Sequence, residues 1–403
     1  MNKRAIAVLV ACFLTILTSY AVRYGYGILL PEMLPSLGIT KTEAGVIYAS
    51  FFIAYTISSP LLGLLGDRYN IRILLTVFVA LLGAGTFLMS FSTSIVKASL
   101  FFIMAGIGSA ACWAPVMALA QRWTSDEHRG KTLAFIDTGS AMGIIVTSAG
   151  VPLIVMANSW ETGWMSLGGW GLVVALINFI VIRNPPEKQP QPGQTSSSQT
   201  PKESIITTYK KLLRDYKFWL IGLAYLLTGF AIIIPFTFLS TYANQELGFS
   251  YDTATRLVTV IGIGAIAGKL ILGPLSDRTG RIRVMMLCAI LIAAGSIGMA
   301  YVQSMTMILF IAIFSLGYGA AWSMYAASAS DYFSKEYAGS IVGLWTVYLG
   351  IGSIVAPIIA GWIADTTGTL SWSFALAAAG AIISFLLLIP VWRAKPVTSV
   401  KKR

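Results

Sequence analysis

Twelve apolar stretches of roughly 18 to 26 residues recur along the chain, and each is long enough to cross a hydrocarbon layer about 30 Å thick. Inside lipid a backbone must satisfy its own hydrogen bonds, so the stretches are expected to be helices. They include Ala5 to Leu30, Ala98 to Gln121, Thr132 to Met156 and Thr253 to Leu275. Only 11% of the residues are charged and the mean hydropathy is +0.77. A soluble domain carries about 25% charged residues, so much of this surface must face lipid. The expected fold class is an all-α membrane protein of 12 transmembrane helices.

The net charge of +12 invites a nucleic-acid reading, which the positions of the charges oppose. Arg68, Arg72, Arg122, Arg129, Lys131, Arg278, Arg281 and Arg283 fall in alternate connections, with the basic N-terminus, linker and tail on their side. The opposite connections hold Lys41, Lys97 and Arg256. By the positive-inside rule both termini are expected in the cytoplasm, and the chain in a plasma membrane, bacterial inner membrane being the expectation. Nucleic acid is not an expected partner; the lipid bilayer is. The three cysteines lie in apolar runs, and the single His128 sits in a polar loop. Neither a disulfide nor a metal site is expected, and no cofactor is implied. No nucleophile and base pair up in the spans, so an enzyme is not expected.

The spans divide into two sets of six. Residues 1–183 form an N-terminal half, 184–217 a linker, and 218–403 a C-terminal half with a cytoplasmic tail. The linker begins NPPEKQPQPGQTSSSQTPKE, a composition of disordered tethers, and a short surface helix is expected over Ser204 to Lys217. The halves repeat at an offset of 210: Gly63, Asp67 and Arg68 correspond to Gly273, Asp277 and Arg278. Trp113 recurs as Trp322 at an offset of 209. Duplicated halves with a site between them are the architecture of alternating-access carriers.

The segments Gly63-Leu-Leu-Gly-Asp67-Arg68-Tyr-Asn70-Ile-Arg72 and Gly273-Pro-Leu-Ser-Asp277-Arg278-Thr-Gly280-Arg281 resemble the loop signature of the major facilitator superfamily. The first copy carries Asn70 where that family usually has glycine. The resemblance implies the superfamily's two pseudo-symmetric six-helix halves, with Asp67, Arg68, Asp277, Arg278 and Arg281 in coupling or gating. Gly106-Ile-Gly108-Ser-Ala-Ala111 imitates a dinucleotide fingerprint, but lies within a span rather than at a strand-to-helix turn.

Three ionisable residues lie deep in the spans, where charge is costly and marks a site by default. Arg23 stands nine residues before Glu32, so roughly 13 Å deep. Asp137 stands eight after Arg129, and Lys269 eight before Asp277, each roughly 12 Å deep. Two cations against one carboxylate predict a small anionic substrate, with Arg23 and Lys269 binding it and Asp137 coupling or gating. Lys269 also stands where the monocarboxylate porter and oxalate:formate antiporter branch carries a basic residue, and Arg23-Tyr24-Gly-Tyr26-Gly resembles that branch's first span. In the superfamily fold the fifth and eighth spans pack together, which implies an Asp137–Lys269 bridge. Tyr24, Tyr26, Trp113, Tyr318, Trp322 and Tyr325 complete the candidate lining, as hydrogen-bond donors on apolar bodies.

The expected function is secondary transport of a mono- or dicarboxylate by a protein that works as a monomer. Uniport, proton symport and exchange stay open. Multidrug or metabolite efflux is the alternative, and a membrane sensor without transport a further one.

Overall fold

The computed structural model describes residues 3–66, 69–125, 127–183, 213–333 and 338–394. Asp67, Arg68 and the linker through residue 212, with most of its expected surface helix, lie outside the described residues.

The N-terminal half contains α1 (Lys3–Leu37), α2 (Lys41–Gly66), α3 (Ile71–Leu88), α4 (Ile95–Ser109), α5 (Ala114–Arg122), α6 (Arg129–Ala157) and α7 (Trp160–Val181). The C-terminal half contains α8 (Tyr216–Thr241), α9 (Tyr251–Thr279), α10 (Arg281–Tyr301), α11 (Met307–Tyr332), α12 (Ala338–Thr367) and α13 (Ser371–Arg393). With α4 and α5 counted as one interrupted crossing, these are 12 spans of membrane-crossing length among the described residues. The expected span Ala98 to Gln121 falls within this crossing, Ile95–Arg122, which is interrupted midway. The chain turns at Ala110–Trp113 because Pro115, at the start of α5, cannot donate back to that turn and disfavours helical backbone before it.

Pseudo-symmetry is visible in packing. Gly108 of α4 lies against the backbone of Phe78 and Leu82 in α3, and Gly317 of α11 lies against Cys288 of α10. The departure at Asn70 is also accounted for. Asn70 caps α3 at φ −62°, its side chain accepting from the Arg72 amide at 3.0 Å. Its counterpart Gly280 turns at φ +99°, where a side chain would be strained.

Both described chain ends and the 183 and 213 flanks share one face, here the termini face. On the far face the halves are in contact. Glycines at 27, 45 and 361 let backbones touch: Gly27 meets Phe236, Gly45 meets Pro357, and Gly361 meets Lys41. Tyr251 donates to the Ile28 carbonyl (3.0 Å) and Gln245 to the Pro31 carbonyl (3.1 Å). Lys41 bridges to Glu246 at 2.8 Å, and the Asp365 carboxylate accepts from the Lys41 and Thr42 amides at 3.1 and 2.8 Å. The carbonyls of the buried Ile28 and Pro31 therefore find donors across the interface, while the Asp365 and Glu246 carboxylates pair at its exposed or partly exposed rim.

Candidate functional site

Beneath that seal lies a cavity of about 170 Å³ between the halves. Its lining runs from Arg23 and Tyr24 past Asp137 and Lys269 to Ala326 and Val342. Ser323 and Ala326 are exposed, so the cavity continues toward the termini face.

Arg23 projects from α1 into a cage of rings. Its guanidinium carbon lies 4.9 Å from the Tyr20 ring centroid, 4.6 Å from Tyr55, and 5.6 Å from both Phe51 and Phe52. Aromatic faces attract a cation, which offsets part of the cost of taking it out of water. They supply no counter-charge. Among the described residues no carboxylate lies within ion-pair distance of Arg23, and its Nε is buried without a hydrogen-bond partner.

Lys269 is placed differently. From α9 its Nζ reaches across the half interface to the Asp137 carboxylate at 2.6 Å, the Asp137 carbonyl at 3.2 Å and the Ser140 hydroxyl at 3.0 Å. All three ammonium protons can thus be used. The side chains keep 20% and 25% exposure, so the pair stands at the cavity wall within reach of a ligand. With this pair neutralised, the described site retains one uncompensated positive charge, that of Arg23.

Of the aromatic residues expected in the lining, Tyr24, Trp113, Tyr318 and Trp322 are there. The Tyr318 and Tyr24 hydroxyls are 3.4 Å apart, and the buried Trp322 Nε1 has no partner. Trp113 stands at the bend between α4 and α5 and is 38% exposed. Tyr26 and Tyr325 are not in the lining. Tyr26 is fully buried against Tyr48 and Phe102, its hydroxyl held by the Ala44 carbonyl at 2.7 Å. Tyr325 stacks on Tyr225 and shares hydrogen bonds with Thr228 and Ser384 inside the C-terminal half. Tyr20, Tyr55 and Tyr225 do line the cavity and were missed. Tyr20 lies three residues before Arg23 on α1, the signal that could have found it.

At the termini face Arg281 pairs with Asp277 (2.6 Å) and Asp331 (3.6 Å) and bonds Ser276, all within its own half. Arg278 is exposed. These three contacts of Arg281 thus stay on the C-terminal side.

Two pseudo-symmetric bundles clasping a cavity, in contact across the far face, are the build of a membrane transporter. The chain belongs to the Major Facilitator Superfamily, whose family model matches residues 12–268 and 221–403. It is an integral membrane transporter and not an enzyme. It is 24% identical to the hexuronate transporter of Bacillus subtilis, over 96% of this chain and 94% of that one. It is 26% identical to the membrane sensor protein UhpC of Escherichia coli, over 95% and 92%. With monocarboxylate transporter 12-B of Danio rerio it shares 25% identity over 95% and 86%. The fold superposes on a crystal structure of the nucleoside transporter NupG with a TM-score of 0.77 at 15% identity, over 98% and 100% of the chains.

Proposed function

We propose that this protein carries a small organic anion across the bilayer by alternating access, with Arg23 binding the carboxylate. One observation carries the reading: a caged central guanidinium without a carboxylate partner among the described residues. An anion of compact size fits, since the roughly 150 Å³ engineered cavity that admits benzene is close to the 170 Å³ here. The named relatives that handle hexuronate and monocarboxylates agree in charge class.

In this reading Lys269 is the second substrate cation and Asp137 the coupling or gating group, because a substrate carboxylate competes with Asp137 for Lys269. Loss of the bridge frees the α6–α9 contact and links occupancy to rocking. The basic loops support a cytoplasmic termini face, and with the chain assigned to a bacterial inner membrane the conformation described is read as inward-facing. Residues 1–183 and 218–403 act as the rocking halves, joined by 184–217, and a monomer suffices. The Asp67 and Arg68 loop, with Asp277, Arg278 and Arg281, closes the cytoplasmic side in the opposite state.

Reconstituted vesicles loaded with labelled carboxylates test this. Saturable exchange that falls at least a hundredfold in Arg23→Gln is expected; flux unchanged in that variant overturns the role of Arg23. The likeness to a membrane sensor supports a second reading, which predicts carboxylate binding with no flux.

A further inference from the structure

We infer that the substrate is a monocarboxylate with a flat apolar body, an aromatic acid of benzoate size, in preference to a sugar acid or a dicarboxylate. The inference rests on the anion reading of Arg23 and refines it.

Charge comes first. Lys269 is held by Asp137 at 2.6 Å and is reached only by displacing that carboxylate, whereas Arg23 has no ion-pair partner among the described residues and meets the anionic head first. A second carboxylate on the ligand has no unpaired cation to meet among the described residues.

The hydroxyls of the lining decide what the rest of the ligand can be. Four side-chain alcohols from Ser and Thr face the cavity, and each spends its proton on its own helix. Ser140 donates to the Asp137 carbonyl (2.6 Å) and Ser323 to Ala320 (2.9 Å). Thr346 donates to Val342 (2.8 Å) and Ser353 to Leu349 (2.9 Å). A hydroxyl has one donor, so these four offer a ligand only lone pairs. No Asn, Gln or Glu lines the cavity, among the described residues. The remaining donors are the tyrosine hydroxyls and indole N–H groups carried by the rings themselves, Trp322 Nε1 among them, so a polyhydroxylated acid can use them only by setting its polar groups against the ring wall, where a flat apolar body gives up no hydration.

What the walls do offer is ring surface. Tyr24, Tyr318 and Trp322 form one connected wall: Tyr24 and Tyr318 meet edge-on at 6.5 Å, Tyr318 and Trp322 edge-on at 6.3 Å. Trp113 faces the same cavity from the other half. A ring among such rings gains beyond its buried area through offset and edge-to-face contacts, roughly two- to tenfold in affinity per contact. The volume of 170 Å³ accommodates a single six-membered ring and its carboxylate.

Calorimetric titration of the purified full-length protein with benzoate, propionate, glucuronate and succinate tests this. Benzoate is expected at least tenfold tighter than propionate, and glucuronate and succinate at least a hundredfold weaker than benzoate. Trp322→Leu is expected to shrink the benzoate-to-propionate ratio, whereas Arg23→Gln lowers both acids together. Should Trp322→Leu fail to fold, the wild-type panel decides alone. Glucuronate or succinate binding as tightly as benzoate overturns the inference and leaves the anion site standing. Binding of none of the four acids removes the anion reading and this inference with it.

Discussion

The Asp365 carboxylate of α12 caps the N-terminus of α2 in the other half, accepting from the Thr42 amide at 2.8 Å and the Thr42 hydroxyl at 2.5 Å. A helix start presents unpaired N–H groups and partial positive charge, so a carboxylate there is stabilising. Here the cap crosses the line along which the halves must part. Opening the far face requires α2 to lose it.

Asp365→Ala is therefore expected to favour the far-face-open state by about 0.5–2 kcal/mol, a roughly two- to thirtyfold population change. Labelling of a cysteine placed at Ile233 by an impermeant thiol reagent added to the far face measures it. An unchanged labelling rate would show that the cap contributes nothing to closure.

Glycines on two kinds of interface are expected to respond differently. Gly108→Ala drives a methyl into the α3 backbone within one half, so it should lower folded yield. Gly361→Ala drives a methyl into Lys41 across the halves, which relieves itself when the far face opens. Normal expression of the second variant, with raised far-face accessibility and impaired cycling, is the expected result. Size-exclusion yield and thiol labelling separate the two cases.

Lys269→Ala leaves Asp137 without its cation. The expected loss is about 2 kcal/mol, below the ~3–5 of a fully buried pair because these side chains keep 20% and 25% exposure. Removing both groups, as Asp137→Leu with Lys269→Met, should recover most of it. Thermal unfolding in detergent of the two single variants and the double one reads the coupling directly.

Asp137→Asn keeps the size of the side chain and releases the charge of Lys269. The site then carries two unmatched cations, and dicarboxylates are expected to bind at least tenfold tighter than in the parent protein. Gradient-driven uptake should fall more than exchange. Succinate titration checks the first claim and vesicle flux the second; equal loss of both fluxes would count against a coupling role.

Much of this architecture was legible in the chain. Twelve apolar runs and a 210-residue repeat defined the spans, because hydropathy and helix length are set by the bilayer itself. Counting 1.5 Å per residue singled out Arg23, Asp137 and Lys269, and all three line the cavity. Three features escaped for physical reasons. Hydropathy does not register a missing hydrogen bond, so the bend before Pro115 stayed invisible. Lys41, Glu246 and Asp365 read as ordinary charges at span ends, since nothing local tells which of them meet across a gap of some two or three hundred residues. Tyr26 and Tyr325 have the composition of a site, but their helices turn them into the packing of their own halves.

The backbone contacts at Gly27, Gly45 and Gly361 also have an electrical meaning. A membrane voltage falls where water cannot follow, and here that is the layer between Arg23 and the far face. Arg23 therefore sits close to the potential of the side to which its cavity connects. On the proposed function, an anion entering from that side crosses little of the field on its way in. On that reading the work of about 2.3 kcal/mol per charge per 100 mV is done when the halves rock and the sealed layer changes sides.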